Sequence, residues 1–420
     1  MTAAPATGRG GDLHNYVLVT AAYWADTIAD GAIRLLVLFY FYERGYTPFQ
    51  LATVFALYEI FGIITNLVGG FLAARFGLKT TLVMGLTTQI AALLMLGLAP
   101  SSWLVVGYVM VAQALSGIAK DLTKMSSKSA VKLVVADDQP GALYRWVAIL
   151  TGSKNALKGV GFFLGGLLLT VTSFQTAMLL LAGLVFCALV FTVPFMHGGL
   201  GRADRGAKFK QMFSNNRSVN ILAAARIFLF ASRDVWFVVG LPVYLRTVLG
   251  WTFWQVGTFM AVWVIGYGIV QASAPRLVRQ RSAEHGAPDG RTAERLAFVL
   301  AGFPAVIAIA LGAGLDATTV LVVGLILFGI VFALNSAVHS YLILAYADGD
   351  RVAMNVGFYY MANACGRLAG TVLSGLLYQW QGLEACLWAS VAFVLAAGLL
   401  SRMLPHDLPA TTPSVSPADA

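Results

Sequence analysis

The chain has 420 residues, of which 59% are hydrophobic and only 11% charged, with a mean hydropathy of +0.77. Soluble domains carry about 25% charged residues, so this balance excludes a water-soluble globular fold. The net charge of +9 would suggest nucleic-acid binding in a soluble protein, but the basic residues gather in a few short loops. Membrane topology imposes that pattern, and no nucleic-acid partner is expected.

Met1 to Asp12 is small and polar, with no apolar core before a cleavage site, so the first helix is expected to remain in the mature protein. A bilayer-spanning helix needs roughly 20 mostly apolar residues. Such stretches recur at 14–42, 48–75, 79–98, 102–126, 144–170 and 173–196, and again at 217–247, 251–277, 293–313, 318–345, 352–380 and 383–404. The expected fold is therefore an all-α polytopic membrane protein of about twelve transmembrane helices, in contact with the lipid bilayer along its length. Residues 1–196 are expected to form one six-helix bundle and 217–404 a second, joined by a basic linker at 197–216. The tail at 405–420, rich in Pro, Thr, Ser and Ala, reads as disordered. Cys187, Cys365 and Cys386 stand singly in apolar runs, as small packing residues do, and no metal or cofactor is expected.

Orientation follows from Lys and Arg. Arg75 and Lys79 flank the second loop, and Lys128, Lys132 and Arg145 lie in or beside the fourth. The link after the sixth helix carries Arg202, Arg205, Lys208, Lys210 and Arg217, and the eighth loop Arg276, Arg279, Arg281, Arg291 and Arg295. The odd-numbered loops hold little beyond Arg44 and Arg246. Even-numbered loops and both termini are therefore expected in the cytoplasm of a bacterial inner membrane.

A weak internal repeat supports two halves. YTPFQLATVFALYE, from Tyr46, aligns with WTFWQVGTFMAVWV, from Trp251; LKGVGFFLGGLL, from Leu157, aligns with GRLAGTVLSGLL, from Gly366, at nearly the same offset.

Ionisable groups at membrane depth are costly and usually face a cavity or a partner. Thirteen fall within the predicted spans: Asp26, Asp30, Arg34, Glu59, Lys120, Asp121, Lys124, Lys154, Lys158, Arg226, Arg233, Asp234 and Arg367. Eight are cations and five are acids, which suits a small anionic solute. Asp26, Asp30 and Arg34 step by four along one helix face, so Asp30 can neutralise Arg34 locally. Lys158 has no acid nearby in its own helix, and the repeat sets it opposite Arg367. The pair is expected either to contact substrate from both sides or to be bridged to Glu59 or Asp234. Arg233 and Asp234 are adjacent on a helix, do not face each other there, and are expected to have different partners. Candidate substrate-binding residues are thus Lys158, Arg367, Lys154, Arg34, Lys120 and Arg233, with the neutral groups Asn155, Tyr359 and Asn363; Asn335, Tyr360 and His339 are weaker, His339 reading as a satisfied interfacial residue. Candidates for proton coupling are Asp26, Asp30, Glu59 and Asp234.

The second loop reads Gly70-Phe71-Leu72-Ala73-Ala74-Arg75-Phe76-Gly77-Leu78-Lys79. It resembles the signature loop of the major facilitator superfamily, with Ala74 where that family usually has aspartate. The resemblance implies a two-bundle transporter in which Gly70, Arg75, Gly77 and Lys79 serve a gating loop. Gly161-Phe162-Phe163-Leu164-Gly165-Gly166 is similar to the family's fifth-helix antiporter motif, with Phe162 in place of its proline. Longer strings resemble a narrower family, the organoarsenical efflux permeases called ArsJ: YWADTIADGAIRLLVLFYF near the N-terminus, SGIAKDLTKMSSKSAVKL from Ser116, YRWVAILTGSKNALKGVGFFLGG from Tyr144 and RIFLFASRDVWFVVGLPVYL from Arg226. That resemblance implies export of 1-arseno-3-phosphoglycerate, made by a glyceraldehyde-3-phosphate dehydrogenase with which the transporter is functionally paired.

The alternatives are an exporter of another solute, such as a drug or sugar, and a membrane enzyme or sensor. Drug exporters favour apolar pockets with few cations. No catalytic grouping, metal cluster or phosphate-binding glycine loop stands in a suitable context, so no enzymatic activity is expected. Nothing resembles a nucleotide-binding domain; ion coupling, with the proton as the ion, is the expected energy source. A monomer is expected.

Overall fold

A computed structural model describes residues 9–134, 140–196, 216–278, 288–346 and 352–405. Among them every regular element is helical: α1 (Arg9–Glu43), α2 (Pro48–Val54), α3 (Ala56–Phe76), α4 (Leu78–Leu98), a short 3-10 turn at Ser101–Trp103, α5 (Val106–Val134), α6 (Pro140–Val171) and α7 (Phe174–Thr192) in the first half. The second half holds α8 (Arg217–Phe237), α9 (Gly240–Thr247), α10 (Phe253–Leu277), α11 (Gly290–Gly312), α12 (Ala317–Tyr346) and α13 (Val352–Ser401). In lipid the backbone must satisfy its own hydrogen bonds, which is why the described residues are nearly all helical.

The predicted spans correspond to these elements with small shifts. The pairs α2–α3 and α8–α9 each make one span, broken at Phe55 and at Val238–Val239, and α13 turns at Gln381 and Gly382, where Gly382 has φ +74° and divides it into two limbs. Twelve spans result, in two sets of six. The break between α8 and α9 frees backbone donors at membrane depth, and Ser374 of α13 accepts from Val239 N at 3.2 Å and Gly240 N at 3.0 Å. The first helix is longer than expected: its 35 residues reach about 50 Å, beyond the roughly 30 Å hydrocarbon core. The basic linker at 197–215, the eighth-loop residues 279–287 and the tail beyond 405 lie outside the described residues.

Among the described residues, seven stretches are long and apolar enough to cross a membrane on composition alone. The long helices α1, α5, α6 and α8 are not among them, and these four carry eleven of the thirteen intramembrane charges.

The internal repeat is visible as matched helix starts. Thr47 caps α2 and Thr252 caps α10, each in a reciprocal box with a glutamine three residues on, Gln50 and Gln255. Helices otherwise meet through small residues, which let backbones approach where lipid supplies no hydrophobic drive. A Cβ added to Gly165 of α6 would stand 2.6 Å from Ala32 O of α1, and one on Gly370 of α13 would stand 2.9 Å from Ala231 O of α8. Each half thus clamps its first helix against its fifth. The halves meet along α6 and α10, where a Cβ on Gly166 would lie 2.6 Å from Phe253 O, and along α13 against α2 and α3.

Candidate functional site

Between the halves lies a cavity of about 160 Å³. Its walls come from α1, α3, α5 and α6 on one side and α8, α10, α12 and the first limb of α13 on the other. All eight intramembrane cations line it: Arg34, Lys120, Lys124, Lys154, Lys158, Arg226, Arg233 and Arg367. Asp121 and Asp234 also face it. Charges scattered over more than three hundred residues of sequence therefore converge on one space. The volume holds on the order of ten water-sized groups, the scale of a small metabolite.

The acids sit mostly behind the cations. Glu59, on α3, accepts from Arg34 Nη2 at 2.5 Å and from Arg367 Nη2 at 2.5 Å, so one carboxylate ties α1 to α3 and joins the two halves. Arg367 also lies 3.8 Å from Asp234. Lys158 pairs with Asp30 at 3.1 Å, and the Tyr58 hydroxyl donates to the other oxygen of the same carboxylate. Lys124 pairs with Asp121 at 2.5 Å and also donates to Asn66; Lys120 stands 3.8 Å from Asp121. The Tyr58 ring lies between cations, with Lys120 Nζ 4.1 Å and the Arg34 guanidinium 4.3 Å from its centroid. Each half places an acid of its first helix beside a cation of its fifth: Asp30 with Lys158, and Asp234 with Arg367. The repeat alignment is thus expressed in the charges.

Several expectations change. Asp30 does not neutralise Arg34: the arginine crosses the rings of Phe55 and Tyr58 to Glu59, because a long side chain on a packed face finds an acid on the neighbouring helix. The partner of Lys158 is Asp30, not Glu59 or Asp234, because glycine-mediated contact of α6 with α1 brings that pair together. Arg233 and Asp234 do pair, at 2.5 Å; α8 ends three residues beyond, and the guanidinium folds back over Phe230, Phe237 and Phe332 to reach its neighbour. Tyr359 is fully buried and does not line the cavity; its ring packs 5.0 Å from the Arg226 guanidinium instead. His339 is not interfacial: it is fully buried, and neither ring nitrogen has a hydrogen-bond partner.

Asn155 and Asn363 line the cavity as expected. Asn155 donates to Gln271 Oε1 at 2.8 Å, linking α6 to α10 across the halves, and Asn363 accepts from Arg226 Nε at 3.1 Å. Asp26 is fully buried; its Oδ2 accepts from the Thr123 hydroxyl at 2.6 Å, its Oδ1 has no partner, and no cation lies within 4 Å among the described residues. Of the signature loop, Gly77 has φ +80°, a conformation only glycine adopts freely, and Lys79 donates to Met196 O at 3.2 Å, tying the loop to the end of the sixth span. Gly77 and Lys79 are away from the cavity, and the side-chain surroundings of Gly70 and Arg75 lie outside the described residues. Sequence reasoning missed Tyr58, Asn66, Tyr267 and Gln271. Asn66 could have been found: it lies two helical turns beyond Glu59, on the same face, in an otherwise apolar run.

Solved structures resemble the chain over nearly its whole length at low identity. The human organic anion transporter MFSD10 (TETRAN) aligns with a TM-score of 0.68 at 15% identity, covering 93% of this chain and 99% of its own. A POT family transporter in complex with a thioalcohol-conjugated peptide gives 0.74 at 12% identity, covering 91% and 94%. A bacterial homologue of the iron transporter ferroportin, in its inward-facing state, gives 0.68 at 16%, covering 94% and 99%. At such identities these likenesses speak for the fold alone. Comparison with curated protein sequences yields no match. The sequence model of the Major Facilitator Superfamily matches residues 19–338, well over half of the chain, and with it the paired six-helix bundles and central cavity acquire a family: this chain is a membrane transporter of the major facilitator superfamily.

Proposed function

We propose that the transporter is a secondary exporter of a small organic anion, working by alternating access and proton exchange, with 1-arseno-3-phosphoglycerate as its substrate. One observation carries the anion reading: among the described residues, eight cations line the cavity against five carboxylates in and behind its wall, a formal excess of three positive charges at membrane depth. Uncompensated charge there is costly, and an anionic solute offsets it. The aromatic residues of the wall do not make it a drug pocket, since Phe230 and Phe237 already lie against guanidinium groups. Lys158 and Arg367 reach the cavity from opposite halves with their acids behind them, so an entering anion competes with Asp30 and Glu59 for their charge.

The finer identification rests on the resemblance of the long sequence strings to the organoarsenical efflux permeases. In that scheme a glyceraldehyde-3-phosphate dehydrogenase makes the unstable arsenate ester in the cytoplasm, and the transporter expels it across the inner membrane. Residues 1–196 and 217–404 act as the two rocking halves. Asp26 is the proposed proton site: burying a charge without a counter-ion is expensive, and a proton removes that cost. Even-numbered loops and both termini face the cytoplasm in this reading, so reporters fused after Gly198 and after His285 give cytoplasmic signals and those near Pro100 or Ser173 do not.

The test of function is expression in bacteria lacking their own arsenate exporters. Arsenate tolerance should rise only when the dehydrogenase is co-expressed, with arsenite tolerance unchanged. Unaltered arsenate accumulation in cells carrying both proteins would reject the substrate.

A further inference from the structure

The cavity's cations are not alike. Arg34, Lys120, Lys124, Lys158, Arg233 and Arg367 each have a carboxylate within 4 Å. Arg226, on α8, has none among the described residues. It is buried, with 4% of its surface exposed, and its two hydrogen bonds go to neutral oxygens: Nε donates to Asn363 Oδ1 at 3.1 Å and Nη1 to Ser336 O at 3.1 Å. A guanidinium has five N–H donors, so three remain. The group is fixed in place by rings, 4.0 Å from the centroid of Phe230 and 5.0 Å from that of Tyr359. Its side chain lines the cavity.

A second feature lies beside it. On α12, Asn335 and His339 flank Ser336, whose carbonyl accepts from Arg226. Both are fully buried, and neither amide atom of Asn335 nor either nitrogen of His339 has a hydrogen-bond partner. Buried polar groups are nearly always hydrogen-bonded, and these two stand behind the cavity wall, to which α12 contributes Ser340, as unused polar capacity beside Arg226.

We propose that Arg226 is the primary anchor of the transported anion, gripping a phosphate or carboxylate group with its planar fork, while Asn363 and Ser336 hold the fork in position. The proposal rests on the anion-export reading and assigns its main contact. Lys158 and Arg367, whose charges are already matched by acids, then engage the ligand only by exchange. A fork suits two oxygens of one phosphate or carboxylate, which a lysine cannot grip in the same way.

The structure gives Arg226 an unusual signature. Removing Lys158 leaves Asp30 without its cation and should destabilise the empty protein. Removing Arg226 strands no acid, so stability without ligand should hold or rise while binding falls. The test uses purified full-length protein in detergent, with 3-phosphoglycerate as the probe and glycerol as the neutral control, read by thermal stabilisation and titration. Wild type should bind 3-phosphoglycerate and not glycerol. R226Q should bind it about ten- to a hundredfold more weakly, the loss expected for a charge-assisted contact, with R226K intermediate. The melting temperature of ligand-free R226Q should equal or exceed wild type, whereas K158Q, which leaves Asp30 with no other cation within 4 Å among the described residues, should melt lower. Wild-type affinity in R226Q overturns the assignment and leaves the anion reading intact. If R226Q fails to fold, the expected stability signature has failed, and wild-type affinity in R226K overturns the assignment independently. Absence of 3-phosphoglycerate binding in wild type, with binding of a neutral solute instead, overturns the anion reading and this assignment with it.

Discussion

The two halves of the transporter present charge to the cavity in different ways. The N-terminal half contributes four lysines and one arginine, set against Asp26, Asp30, Glu59 and Asp121. Among the described residues, the C-terminal half contributes three arginines and a single acid, Asp234. Glu59 partly corrects that shortage by reaching across from α3 to Arg367. Lysine is a flexible point charge that exchanges partners readily; arginine is a fixed fork that orients an anion. The first half therefore presents mostly mobile point charges to the cavity, and the second only fixed forks. Pseudo-symmetry of the backbone does not require symmetry of chemistry.

The sharpest way to break this comparison is to remove the shared acid. Glu59→Gln leaves Arg34 and Arg367 without their strongest partner in a desolvated site, and should cost about 3–5 kcal/mol. Thermal unfolding of the purified protein measures it, and adding Arg367→Gln should recover part of the loss. An unchanged melting temperature would mean that the halves are not joined through this carboxylate.

Smaller losses should follow from spreading the helix clamps. Gly161 packs against Ile28 and Gly31 of α1, and its repeat equivalent Gly370 packs 2.9 Å, at an added Cβ, from Ala231 O of α8. Alanine at either position should cost about 1–3 kcal/mol, and more at Gly161, where the approach is to backbone on several sides. Equal effects would sharpen the symmetry of the clamps; no effect at either would refute it. Lys158→Gln belongs in the same range, about 1–3 kcal/mol, because Asp30 keeps its bond from Tyr58. Adding Asp30→Asn should restore stability. Restoration of transport as well would make the Lys158 charge purely structural.

The smallest predicted effects concern the matched helix starts. Thr47→Ala and Thr252→Ala each remove a capping box and should each lower stability by about 1 kcal/mol, read from the same unfolding curves.

Much of this was legible in the sequence. Long apolar runs placed the spans, and the repeated strings from Tyr46 and Trp251 contain both capping boxes, Thr47 with Gln50 and Thr252 with Gln255. The thirteen intramembrane charges announced a polar interior. Their pairing was not legible. Spacing along one helix shows which side chains share a face, but Asp30 and Lys158 meet only because Gly31, Gly161 and Gly165 let α1 and α6 close together. Adjacent Arg233 and Asp234 defied the helical rule because the arginine's length lets it double back near a helix end. Arg226 looked like one cation among eight; its lack of an acid is a property of the packed fold.

The central claim is that this cationic cavity exports an organic anion, and transport into everted membrane vesicles tests it most directly. Radioactive arsenate supplied with glyceraldehyde 3-phosphate, the oxidised nicotinamide cofactor and the dehydrogenase should accumulate inside vesicles carrying the transporter. It should not accumulate when the dehydrogenase is omitted, nor when arsenite replaces arsenate. Equal accumulation with and without the transporter, or uptake of arsenite in its place, would contradict the account.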